Sequence, residues 1–129
     1  MQIVNTLRWP VIAIVITGML HLGAEAVIPD LKGAFTPTTI GPILLLYGLW
    51  VGAASVGRGA SFVESAVSGA LLGLLPLALD VVGFGILLGR GLEAGLVAGA
   101  FGFLMVVFGS ILGAGYREFG RDSATASRQ

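Results

Sequence analysis

Three ionisable side chains stand inside otherwise apolar stretches: His21, Glu25 and Asp80. His21 is the chain's only histidine, and Glu25 follows it by four residues in TGMLHLGAEAVIPD, residues 17–30. Four residues is one helical turn, so both side chains project from one face if the segment is helical. Asp80 is the single charge in AVSGALLGLLPLALDVVGFGILLG. Two carboxylates and an imidazole in a low-dielectric setting form a titratable patch that can bind a cation, relay a proton or pair with an amine.

The elements that must position these groups follow from composition. Of 129 residues, 56% are hydrophobic and 11% charged, with a mean hydropathy of +0.97. A soluble domain carries roughly 25% charged residues, so this chain lacks the polar surface to cover itself. It reads as one all-α domain, a polytopic integral membrane protein with lipid as its main solvent. A helix needs roughly 20 apolar residues to cross the hydrocarbon core, and four segments qualify, at about 9–28, 38–56, 62–88 and 92–116. PDLKGAFTP, GRGAS and GRGLE separate them, each with Gly or Pro beside a charge, as helix-ending loops require. A small transmembrane four-helix bundle over 1–116 is predicted, followed by a polar, disordered tail over 117–129.

Arg8, the apolar run after it and Ala24-Glu25-Ala26 imitate a cleavable leader. One arginine is a thin positive region for a leader, so the segment is read as a retained helix. Four spans put both termini and Arg58 on one side. That side carries Arg8, Arg58, Arg117, Arg121 and Arg128, against Lys32 and Arg90 opposite. Five against two predicts cytoplasmic termini, in a membrane of the prokaryotic inner or plasma type. Counted at about 1.5 Å per residue, His21 lies roughly 18 Å from the cytoplasmic end, Glu25 roughly 24 Å and Asp80 roughly 20–27 Å. The three share a depth, and they meet if the first and third helices touch.

Twenty-one glycines exceed what the loops need. Pairs at spacing four, such as Gly48–Gly52 and Gly69–Gly73, put small residues on one face and let helices approach closely. The fourth span concentrates them at Gly95, Gly99, Gly102, Gly109 and Gly113, which makes it the candidate interface with further chains as well as with its own helices. Pro76 lies midway along the third span, where it frees the Leu72 carbonyl and bends the helix one turn before Asp80.

Several chemistries lack their residues. Cysteine is absent, which removes disulfides, thiolate metal sites and cysteine nucleophiles. No basic stripe suits nucleic acid, and the Gly-x-Gly pairs at 83–85 and 113–115 lie in helices without the dinucleotide or phosphate-loop context. No catalytic set is complete, so no enzyme is expected. No cofactor is expected either, and the one pigment reading is His21 as a lone axial ligand to haem or a chlorophyll-type macrocycle. The leading functional expectation is a non-catalytic accessory or scaffold subunit of a homo-oligomer or larger membrane assembly. The alternative is a small proton- or cation-coupled transporter or channel using Asp80 with His21 and Glu25.

Overall fold

A computed structural model describes residues 2–28 and 37–127, with side-chain placement described for 5–28 and 40–120. Apart from short turns the described residues are helical, with no strand among them: α1 (Gln2–Val27), α2 (Pro37–Gly57), α3 (Phe62–Leu79), a π-helical segment (Asp80–Leu87) and α4 (Leu92–Ser127). Four helices are long and apolar enough to cross a membrane, counting α3 and the π-helical segment as one. Lys32 and Arg128, both used in the charge balance above, lie outside the described residues.

The boundaries differ from the expected spans in three places. The first helix starts at Gln2 and carries Pro10 within it; Pro10 is fully buried. The fourth does not stop at Tyr116 but runs to Ser127, because Arg117, Glu118 and the residues after them include no proline and only Gly120 as a weak breaker. The third span is not one bent α-helix. Its α-helical part ends at Leu79, and a wider π-helical turn takes over at Asp80, four residues after Pro76.

Local chemistry explains the ends. Ser61 caps α3 reciprocally: the Glu64 amide donates to Ser61 Oγ at 3.2 Å, and the Ser61 amide donates to Glu64 Oε2 at 2.6 Å. That is a capping box, satisfying two amides the helix leaves unpaired. The turn after the π-helical segment needs Gly89 at φ 67° and Gly91 at φ 96°, a region that side chains disfavour. These two glycines flank Arg90.

α4 is the hub, packed most extensively on α2 and then on α3, whereas α1 packs more thinly on α2 and α3. The α2–α4 seam is backbone against backbone. A Cβ added to Gly48 would overlap the Val106 carbonyl oxygen and lie 2.9 Å from Gly109 Cα. One added to Gly52 would overlap the Ser110 carbonyl, and those on Gly109 and Gly113 would overlap the carbonyls of Leu45 and Leu49. Gly95 lies against the Asp80 carbonyl and Val81, Gly99 against Leu77, and Gly102 against Leu44 and Pro76. All five α4 glycines singled out in the sequence therefore face helices of their own chain. The core midway along the bundle is Ile14, Val51, Leu72 and Val106, each at most 2% exposed, with Leu44 beside them.

Candidate functional site

The π-helical segment is where the bundle opens. Widening the turn at Asp80 removes the regular i→i−4 register; the Leu88 amide reaches back to the Gly83 carbonyl, and the Arg90 and Gly91 amides to those of Phe84 and Gly85. Gly83 admits Leu22 of α1 and Gly95 of α4 admits the backbone at Asp80, so the segment is gripped from both sides. Between it and the facing helices lies a cavity of about 170 Å³, lined among others by His21, Asp80, Phe84, Arg90 and Phe101. A smaller chamber of about 40 Å³ continues towards the core along Thr17, Leu44 and Pro76, sharing His21, Asp80 and Phe84 with the first.

His21 and Asp80 are thus brought together on one cavity wall. Glu25 is placed differently. It is not part of the lining, and its side chain is 1% exposed. One carboxylate oxygen, Oε1, lies 3.5 Å from His21 Nε2, and the other, Oε2, lies 2.6 Å from Arg90 Nη2. Both are ion-pair contacts, the His21 one charged only when the ring is protonated. The Glu25 carboxylate is turned inward, away from solvent. Arg90 comes in to meet it, and its guanidinium sits 5.5 Å from the Phe84 ring centroid, within cation–π range. The His21 ring also packs on Phe84, with ring centroids 4.7 Å apart.

Arg90 is the functional residue that reading the sequence missed. It was counted only as a loop charge, although Gly89 and Gly91 on either side are a signal that the chain reverses sharply there. Thr17 and Tyr47 were missed too. Thr17 Oγ1 donates to the Ala13 carbonyl at 2.8 Å and stands 2.7 Å from the Tyr47 hydroxyl, and Thr17 lines the smaller chamber.

The charge balance of the site follows. Arg90 and Glu25 offset each other, leaving Asp80 as the net charge when His21 is neutral. The Asp80 carboxylate is half-buried and has no hydrogen-bond or ion-pair partner among the described residues. Such a carboxylate, facing a cavity with an aromatic wall, is suited to a small cation or a proton. Among the described residues there is no group of three His, Asp or Glu side chains that could hold a metal ion. The cavity, at about 170 Å³, is below the roughly 300–1,000 Å³ of pockets for drug-sized ligands. Of the α4 glycines Gly95, Gly99, Gly102, Gly109 and Gly113, only Gly102 lines the cavity. No protein-family profile, curated protein or solved structure matches the chain.

Proposed function

We propose that the chain is a small integral membrane transporter or channel that binds a proton or small monovalent cation at Asp80. The observation that carries this reading is the unpartnered Asp80 carboxylate on the wall of a cavity inside four membrane-length helices. A charged side chain at a helix centre costs at least about 2.5 kcal/mol on insertion scales. Where such a group is also without a partner, folding stability gives no reason for it, and a ligand does. At roughly 30 Å³ per water, the cavity takes a few waters or an ion with part of its shell.

The bilayer itself is supported by the outward faces. Leu20, Val27, Val97 and Leu104 are all more than half exposed, a surface that water would not tolerate over a whole bundle. Trp9 and Tyr116, also exposed, stand where interfacial aromatics belong, at the end of the bundle that holds the termini. The excess of arginine at that end supports a cytoplasmic side there, with the Asp80 cavity in the outer half. One support for the accessory-subunit reading, the small residues of α4, is taken up by α2, α3 and the π-helical segment; the ion reading is therefore preferred.

The test is reconstitution into liposomes with pH-sensitive and cation-sensitive dyes. Wild-type protein is expected to carry protons, Na⁺, K⁺ or NH₄⁺, and Asp80→Asn to abolish that flux. Flux indifferent to Asp80→Asn, or none from wild-type protein with any of these ions, contradicts the proposal.

A further inference from the structure

A second polar pocket lies at the opposite end of the bundle. It holds about 130 Å³ and is lined by Thr6 of α1, Ser55 and Arg58 at the end of α2, and Glu64 and Ser68 of α3. Arg58 and Glu64 are exposed and form its mouth, while Thr6, Ser55 and Ser68 are buried at its base. Ser68 Oγ is satisfied by the Glu64 carbonyl at 2.9 Å. Ser55 Oγ is buried and has no hydrogen-bond partner among the described residues. Leaving a buried hydroxyl unpaired is costly, so in a pocket of this size and polarity water is its natural partner.

Both pockets are lined by the third span at different heights. Glu64 and Ser68 line the serine pocket, Leu72 lies in the core, and Pro76 and Asp80 line the second chamber, each step of four residues rising roughly 6 Å. Leu72 therefore lies between the serine pocket and the Asp80 cavity. α1 repeats the order with Thr6 in the first pocket, Ile14 in the core, and Thr17 and His21 in the second. α2 runs from Ser55 through Val51 to Leu44. The α1 and third-span faces are polar at both ends and apolar in the middle, whereas on α2 only the Ser55 end is polar.

We propose that the serine-lined pocket is a hydrated vestibule for the same ion as the Asp80 cavity. Its hydroxyl oxygens replace part of the ion's water shell, and Ile14, Val51, Leu72 and Val106 form a dry barrier between the two chambers. This rests on the transport reading above. Hydrophobic constrictions of this kind gate by excluding water. Ile14 is the barrier residue on the thinly packed α1, so α1 is the element whose displacement opens the path, while the α2–α4 seam stays fixed.

Because the chain has no cysteine, single-cysteine variants can be read without background. Ser55→Cys and Ser68→Cys change one atom each, and Val51→Cys and Val106→Cys are similarly mild. In proteoliposomes, a membrane-impermeant thiol reagent is expected to label Ser55→Cys and Ser68→Cys from the side that also labels Arg58→Cys. The same reagent is expected to leave Val51→Cys and Val106→Cys unlabelled from both sides. Labelling of Ser68→Cys should also block the ion flux. If Ser55→Cys and Ser68→Cys stay unlabelled from both sides while Arg58→Cys reacts, the vestibule is refuted, even where flux still depends on Asp80. If they are labelled but flux is indifferent to Asp80→Asn, the hydrated pocket stands and its role as an ion vestibule falls with the transport reading. Labelling of Val51→Cys as fast as Ser68→Cys refutes the barrier.

Discussion

Between α2 and α4, glycine lets two backbones touch; beside the π-helical segment, glycine lets the chain turn away and leave room. At the seam, Gly48, Gly52, Gly109 and Gly113 sit where a single added carbon would strike a carbonyl of the facing helix. At the cavity, Gly89 and Gly91 have nothing within 4 Å of an added Cβ, and what they supply is a left-handed backbone on either side of Arg90. The seam is a fixed clamp without a charged group in it. The cavity end holds Asp80, His21, Glu25 and Arg90, and its walls are side chains that can change rotamer. A bundle this small can hold open space at one end because contact elsewhere is so close.

That contrast can be broken at the seam first. Gly48→Ala and Gly113→Ala place a methyl group against a carbonyl oxygen that has no room to withdraw, and overpacking costs about 1–3 kcal/mol or more. Both are expected to lower the thermal midpoint in mild detergent steeply, even though alanine is the better helix former. A midpoint equal to wild type would mean the seam is looser than described.

At the cavity end, Arg90→Ala strands Glu25, whose side chain is 1% exposed, and breaking a buried pair from one side costs about 3–5 kcal/mol. The upper part of that range is not expected, because water in the cavity next to Arg90 can reach the carboxylate once the guanidinium is gone. Glu25→Gln should cost less than Arg90→Ala, since Arg90 is 27% exposed and can turn outward on its glycines. The double variant Glu25→Gln/Arg90→Gln should recover much of the loss. Additive losses in thermal unfolding would show that the two side chains do not act as a pair.

Asp80→Asn inverts the usual direction. Removing an unpartnered charge from the span should leave stability unchanged or raise it by roughly 1 kcal/mol, while ion flux disappears. A clear drop in the thermal midpoint would assign Asp80 a structural role. The smallest effect is expected at Gly23, which is exposed with open space beyond its Cα. Gly23→Ala should stabilise by about 0.5–1 kcal/mol through helix propensity alone, the opposite sign to the same substitution at Gly48.

Much of the frame was legible in the residues. Uninterrupted apolar length placed four helices, and the Gly–Arg–Gly punctuation placed the turns. The shared depth of His21 and Asp80 followed from residue counting, because rise per residue is nearly constant in any helix. Three things were not legible. The π-helical turn at Asp80 depends on how Gly83 and Gly95 are gripped by neighbouring helices, a tertiary cause with no local pattern. The inward swing of Arg90 depends on Glu25 being buried within its reach, and pairing across helices leaves no spacing to read. The partners of the α4 glycines could not be told from spacing, since a small-residue face looks the same whether it meets its own chain or another.

The most direct measurement of the central claim is infrared difference spectroscopy of the carboxyl region, recorded on reconstituted protein as pH or cation is changed. Wild-type protein should show a carboxyl band that responds to the ion. That band should be lost in Asp80→Asn and kept in Glu25→Gln. An ion-induced carboxyl response that survives unchanged in Asp80→Asn would contradict the account.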